Sequence, residues 1–163
     1  MARFTRRFRT VLLILTAALA LLVVARMNLY LVGTRAVLGQ LRPVTRVDVD
    51  SKVACLSFDV AWGETVPSMV LDVLKEKHVP ATFFVLGSRA KALPAVMRRI
   101  AAEGHAVGNH SYWHPKLFRE PIGRLQWEAT QTDEVIRQTV GYRPKMFRAP
   151  YGALTEDMVR ELA

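Results

Sequence analysis

Only one cysteine, Cys55, occurs in the 163 residues, so no intrachain disulfide can staple the fold. It lies in an apolar run, Val53-Ala54-Cys55-Leu56. There it is expected to act as a small buried hydrophobe, since no neighbouring group favours a thiolate. Acidic residues are missing before Asp48, while the first 47 positions hold eight arginines and carry +8 of the net +9. Beyond that point 15 Lys and Arg stand against 14 Asp and Glu. The globular part therefore has no basic stripe with interleaved aromatics, and nucleic acid is not an expected partner. Internal repeats and low-complexity tracts are also lacking, which excludes a solenoid or a disordered array.

The arginines are not scattered. Arg3, Arg6, Arg7 and Arg9 precede an apolar run from Val11 to Ala25, broken only by Thr16. A positive segment before an apolar one is the pattern of a signal peptide or signal anchor. The run spans about 22 Å at 1.5 Å per residue, short of a hydrocarbon core of roughly 30 Å. Continuation through Leu29, Leu31 and Val32 reaches across if Arg26 snorkels toward a polar zone. No small-x-small cleavage site follows. Residues 1–33 are thus expected to be an uncleaved, single-pass transmembrane anchor. The following domain would lie outside the cytoplasm, or be secreted if the segment is removed. Residues 34–51, punctuated by Gly39 and Pro43, read as a linker, and residues 52–163 as the folded domain.

From Lys52 the pattern becomes regular. Strands are expected at Val53–Phe58, Ala81–Leu86, His105–Gly108 and, briefly, Met146–Arg148. Helices are expected between them. One is capped by Thr65, ends near Lys77 and buries Val66, Val70, Val73 and Leu74; others run over 94–103 and 124–140, and a last one is capped by Thr155. Gly104 and Gly141 stop the second and third. Strand–helix alternation with short connections implies an α/β fold with a parallel sheet and outer helices. Four strands leave such a sheet with a bare edge, so the chain is expected to stop before its fold is complete.

Chemistry concentrates in Gly108-Asn109-His110-Ser111-Tyr112-Trp113-His114-Pro115. Imidazoles at i and i+4 meet on one metal ion if the backbone makes a helical turn. Neutral imidazole is a good ligand for zinc and similar divalent ions. Ser57-Phe58-Asp59 upstream and Phe147-Arg148-Ala149-Pro150-Tyr151-Gly152 downstream supply further polar groups for a hydrolytic site at strand ends. Taken singly, each has a plainer reading: Asp59 as a turn or capping residue, Arg148 as an ion-pair partner, one histidine packed on Trp113. His78 and His105 lack partner spacing and read as structural, and Trp127 and Phe118 as packing.

In this order and within this alternation, the three segments resemble the polysaccharide deacetylases (carbohydrate esterase family 4, the NodB-homology domain), from about Val53 to Ala163. Ala81–Gly87 and Ala101–His105 also look like that family. The resemblance implies an irregular (β/α) barrel, incomplete here. It implies a divalent metal, most often zinc, on His110 and His114, with Asp59 as the catalytic base. It also implies that Arg148 orients and charge-pairs with that base, and that the backbone N–H of Tyr151 faces the developing oxyanion. Trp62 and Trp113 are expected to wall the site and stack on sugar rings.

Two departures stand out. The family's first motif usually has two adjacent aspartates, base then metal ligand; here it reads Asp59-Val60-Ala61-Trp62-Gly63, as in the subset resembling sporulation and cell-wall deacetylases. Val60 cannot coordinate, which leaves water, Asp59 or Glu64 as third ligand. The family's later Leu-x-His, source of a general-acid histidine, is absent from the chain. The expected function is metal-dependent hydrolysis of N-acetyl groups on an extracytoplasmic glycan such as peptidoglycan. The alternatives are a catalytically impaired glycan-binding pseudoenzyme and an O-acetyl esterase.

Overall fold

The computed structural model describes residues 19–23, 26, 43–45, 49–50, 52–61, 63 and 65–162. The chain divides into two compact units, Met1–Arg42 and Pro43–Ala163. In the first, residues 19–23 and 26 are helical, with Leu19, Leu21, Leu22 and Val23 exposed. Most of the expected anchor lies outside the described residues. Among those described, no helix is long and apolar enough to cross a membrane.

The second unit alternates strand and helix. Its order is β1 (Leu56–Val60), α1 (Thr65–Lys77), β2 (Ala81–Val85), α2 (Gly87–Ala92), α3 (Pro94–Ala102), β3 (Ala106–Asn109), a 3-10 turn (Leu117–Arg119), α4 (Ile122–Val140), a second 3-10 turn (Pro150–Gly152) and α5 (Glu156–Leu162). The three strands form one parallel sheet in the order β1-β2-β3. Register pairs Phe58 with Phe83, Asp59 with Phe84 and Val60 with Val85; Phe83 and Phe84 then face Val107 and Gly108.

Because side chains alternate across a sheet, this register separates two faces. On one, Val60, Phe83, Val85 and Val107 join Leu71 and Leu74 of α1, Ala90 of α2, Met97 and Ile100 of α3 and Ile136 of α4 in the main core, with Phe58 packed against it. Phe58 and Phe83 stack at 5.2 Å. The other face carries Ser57, Asp59, Thr82, Phe84 and Gly108.

Several sequence expectations require correction. The fourth strand is a single parallel bridge, Asn109 to Phe147, because Pro150 and the turn that follows leave no room to extend it. On α1 the buried residues are Pro67, Leu71 and Leu74, while Val66 and Val73 are exposed: the helix is rotated from the expected face, with Val70 at its margin. The first strand begins at Leu56 and not at Val53, so Val53 and Cys55 precede it and are exposed; Leu56 is exposed too, at a strand that among the described residues has a sheet neighbour on one side only. Capping is better matched. Thr155 Oγ1 accepts from Met158 N–H at 3.2 Å. Gly141, at φ 88°, closes α4 with its N–H on Arg137 O, a left-handed ending that glycine adopts without Cβ strain.

Candidate active site at the strand ends

Asp59 stands one residue from the end of β1, on the face opposite the core. Its Oδ1 accepts from Arg148 Nη1 at 2.7 Å. The same guanidinium donates through Nη2 to Ser57 Oγ at 2.8 Å and lies 4.0 Å above the centre of the Phe84 ring. Arg148 is therefore fixed by a carboxylate, a hydroxyl and an aromatic face at once. Phe84 can occupy that floor only because residue 108 lacks a side chain: a Cβ there would fall 2.5 Å from Phe84 Cδ1 and 2.6 Å from Cε1. Ser57, Phe84 and Gly108 were not singled out as site residues from the sequence. Their period-2 relation to Asp59 and its register partners is the signal that would have found them.

The segment carrying Arg148 is held to the end of β3 by Asn109 N–H on Met146 O and Arg148 N–H on Asn109 O, both 2.8 Å. Arg148 acts a second time through its own carbonyl, which lies 2.8 Å from His110 Nδ1. A carbonyl can only accept, so Nδ1 carries the proton and Nε2 presents its lone pair. That Nε2 is 3.8 Å from Asp59 Oδ2. The His110 ring is 3 % exposed. Burial is the main reason its pKa falls below the usual value, and the nearby His114 and Arg148 charges act in the same direction, against the opposing pull of the Arg148 carbonyl and Asp59. His110 is thus neutral at pH 7.

His114 reaches the same place by a route the spacing did not predict. The 110–114 backbone makes no helical turn. Ser111 and His114 instead adopt left-handed conformations, φ 67° and 63°, each costing about 1–2 kcal/mol in a non-glycine residue. The result is a tight loop that brings the His110 and His114 rings to 4.9 Å between centres, edge to face. Tyr151 packs against the outer side of His114 at 4.7 Å. Tyr151 is itself left-handed, φ 61°, and its N–H makes no hydrogen bond among the described residues. Non-glycine residues held in that region cluster at functional sites. Trp113 is exposed beside the histidines. Trp62 and Glu64 lie outside the described residues.

The loop is clamped from outside. Gly87 and Ser88, opening α2, donate their N–H groups to Ser111 O and Tyr112 O at 2.9 and 3.2 Å. Asn109 donates to Ala129 O and Asp133 Oδ1 and accepts from Ser111 N–H. Burial pushes the Asp133 carboxyl up, against the Asn109 hydrogen bond and the Arg143 charge.

His110, His114 and Asp59 are the donors suited to a divalent ion. The pinned tautomer and buried neutral ring of His110 fit ligation, because metal-bound histidines characteristically donate their second nitrogen to a carbonyl or carboxylate. The contacts run in pairs, and among the described residues no group of three or more His, Cys, Asp or Glu side chains is drawn together tightly enough to hold an ion. Val60, where the expected second carboxylate would stand, points into the core at 5 % exposure. His105 is structural: its Nδ1 accepts from Ala81 N–H at 3.3 Å, at the opposite end of the strands.

An α/β scaffold with a parallel sheet carries an arginine-bound carboxylate and a histidine pair at its strand ends, a set of groups suited to hydrolytic chemistry. Residues 46–163 match the polysaccharide deacetylase family, and the chain belongs to that family. A Bacillus cereus protein named peptidoglycan-N-acetylglucosamine deacetylase is 38% identical over 64% of this chain and 38% of its own length. The solved structure of the peptidoglycan deacetylase PdaC from Bacillus subtilis matches with a TM-score of 0.65 and 38% identity, over 71% of this chain and 57% of that one. A mutant of a pseudoenzyme of the same esterase family, described as having restored enzymatic activity, matches with a TM-score of 0.66 and 28% identity, over 69% of this chain and 41% of that one. The chain spans about two fifths of the length of the Bacillus cereus relative.

Proposed function

We propose that this chain is a metal-dependent glycan N-deacetylase that releases acetate from N-acetylglucosamine-type units, with peptidoglycan as the favoured substrate. The carrying observation is the convergence of Asp59, bound by Arg148, with the lone-pair nitrogen of His110. His110 and His114, joined by Asp59, would hold the divalent ion, for which zinc is the natural choice with imidazole donors. When bound, such an ion supplies Lewis acidity that polarises an acetyl carbonyl and acidifies water. Asp59, oriented by Arg148, takes the proton of the attacking water and gives it to the amide nitrogen as the C–N bond breaks, so that acetate and a free amine leave. The unpartnered Tyr151 N–H donates to the oxyanion, and Trp113, with Trp62, offers a ring to the sugar face.

Purified protein supplied with zinc is expected to release acetate from N-acetylglucosamine oligomers, and chelation or His110→Ala to abolish release. A second reading, the glycan-binding pseudoenzyme, draws support from Val60, whose side chain lies in the core instead of contributing a ligand. Saccharide binding without acetate release in the presence of zinc would establish that reading and remove the first.

The arginine-flanked apolar segment of the sequence is what supports anchoring at the cell membrane with the domain outside. Protease added to intact cells is expected to digest the domain, whereas full protection would place it in the cytoplasm.

A further inference from the structure

We infer that Glu128 is the positioning residue that sets the geometry of the two-histidine loop. This rests on the metal-site reading above, though one arm of its test does not. Glu128 lies in the middle of α4 and is fully buried, 0 % exposed. A carboxylate does not stay in such a place without compensating donors, and its donors come from the loop. Oε2 accepts from Tyr112 N–H at 2.6 Å and from Trp113 N–H at 2.8 Å. Oε1 lies 2.7 Å from Arg124 Nη2, one helical turn back, in an ion pair too poorly aligned to count as a hydrogen bond.

Tyr112 and Trp113 are two of the three residues separating His110 from His114. Their N–H groups have no sheet or helix to enter, since the backbone on either side of them is left-handed. The loop's carbonyls at 111 and 112 are taken by the start of α2, while Glu128 takes the adjacent N–H groups from the other side. One oxygen accepting two consecutive N–H groups fixes the direction of both peptide planes. Those planes set the distance between the imidazoles. The space around the loop is equally tight: a Cβ on Gly87 would lie 2.4 Å from Tyr112 Cδ2 and 2.5 Å from Thr132 Oγ1 of α4. Arg124, stacked 4.9 Å from the centre of the Trp127 ring, holds the carboxylate in turn. The partners of Glu128 are the Tyr112 and Trp113 N–H groups and Arg124, and none of Asp59, His110, His114 and Arg148 is among them, so Glu128 acts through the loop.

The test compares Glu128→Ala, Glu128→Gln and Glu128→Asp in two measurements: amide exchange at residues 112 and 113 in zinc-free protein, and affinity for zinc alone by competition with a chelating dye. In Glu128→Ala the two amides should exchange at least about 10-fold faster while those of Phe83 and Val85 stay protected, and zinc affinity should fall about 10- to 100-fold. Glu128→Gln keeps one oxygen for both N–H groups and should stay close to wild type, whereas a further variant, Glu128→Met, of similar length but with no carboxyl or amide oxygen, should follow the alanine variant; a merely space-filling role predicts wild-type behaviour for both. The shorter carboxylate of Glu128→Asp cannot reach both amides and should lose affinity; it carries the test if the alanine variant fails to fold. Folded Glu128→Ala, or failing that Glu128→Asp, with protected amides and wild-type zinc affinity would overturn the inference. Should the wild-type chain bind no zinc, the metal reading falls and amide exchange alone decides the role of Glu128.

Discussion

The two faces of the same short sheet have opposite characters. One presents Val60, Phe83, Val85 and Val107, buried, to four helices, with Phe58 half-buried at its margin. The other presents Ser57, Asp59, Phe84 and Gly108 to a guanidinium and two imidazoles. Neighbouring residues in the chain thus belong to different tasks. Phe83 packs helices to the sheet, and Phe84, one residue later, supports Arg148. The helix-covered face supplies rigidity, and the open face uses it to hold polar groups in fixed relation.

Substitution on either face can test that division. Phe83→Ala is expected to have the largest effect, lowering stability by about 3–5 kcal/mol, read as a drop in the denaturant midpoint. The fraction that remains folded should keep its zinc affinity; loss of affinity in that fraction would mean the faces are not separable. Gly108→Ala comes next. The new methyl group meets the Phe84 ring, at a cost of about 1–3 kcal/mol, and displaces the floor under Arg148. Its mark should be loss of acetate release out of proportion to the change in melting temperature, the reverse of Phe83→Ala.

The smallest effect is a pH dependence that only the open face shows. His110 is held neutral by burial, its pKa below that of the unfolded chain. As pH falls below about 6.5, the unfolded state takes up a proton that the folded state refuses. Stability of the zinc-free protein should therefore be level above that pH and decline below it, by at most about 1.4 kcal/mol per unit. In His110→Phe this slope should flatten, whereas an unchanged slope would assign it to other groups.

Much of this arrangement was legible before any coordinates. The apolar run of β2, the stops at Gly104 and Gly141 and the Thr155 cap follow from local rules of backbone and side-chain chemistry. The grouping of Asp59, the two histidines and Arg148 came instead from the resemblance of the motifs to a family, and the structure shows it as pairwise contacts, Arg148 with Asp59, Asp59 with His110 and His110 with His114. What escaped depended on non-local facts. Val66 and Val73 carry the same apolar signal as Leu71, and only the packing of α1 on β1 and α3 decides which side is covered. The six-residue α2 is too short to display a period. The loop between the histidines turns through Ser111 and His114 in conformations that neither residue type advertises, and the N–H groups between them, at Tyr112 and Trp113, are taken by Glu128, sixteen and fifteen positions away. The roles of Asn109 and Glu128 in the loop left no mark in the sequence, because what they hold there are peptide groups, which carry no letter.

Arg148 has two unlike connections. Its side chain grips the carboxylate on β1, and its carbonyl grips the imidazole after β3. Replacing the residue removes only the first, since every amino acid keeps the same main-chain oxygen. Deleting or inserting a single residue next to it would slide both grips out of line together. The neighbourhood of position 148 should therefore accept changes of letter more readily than changes of length.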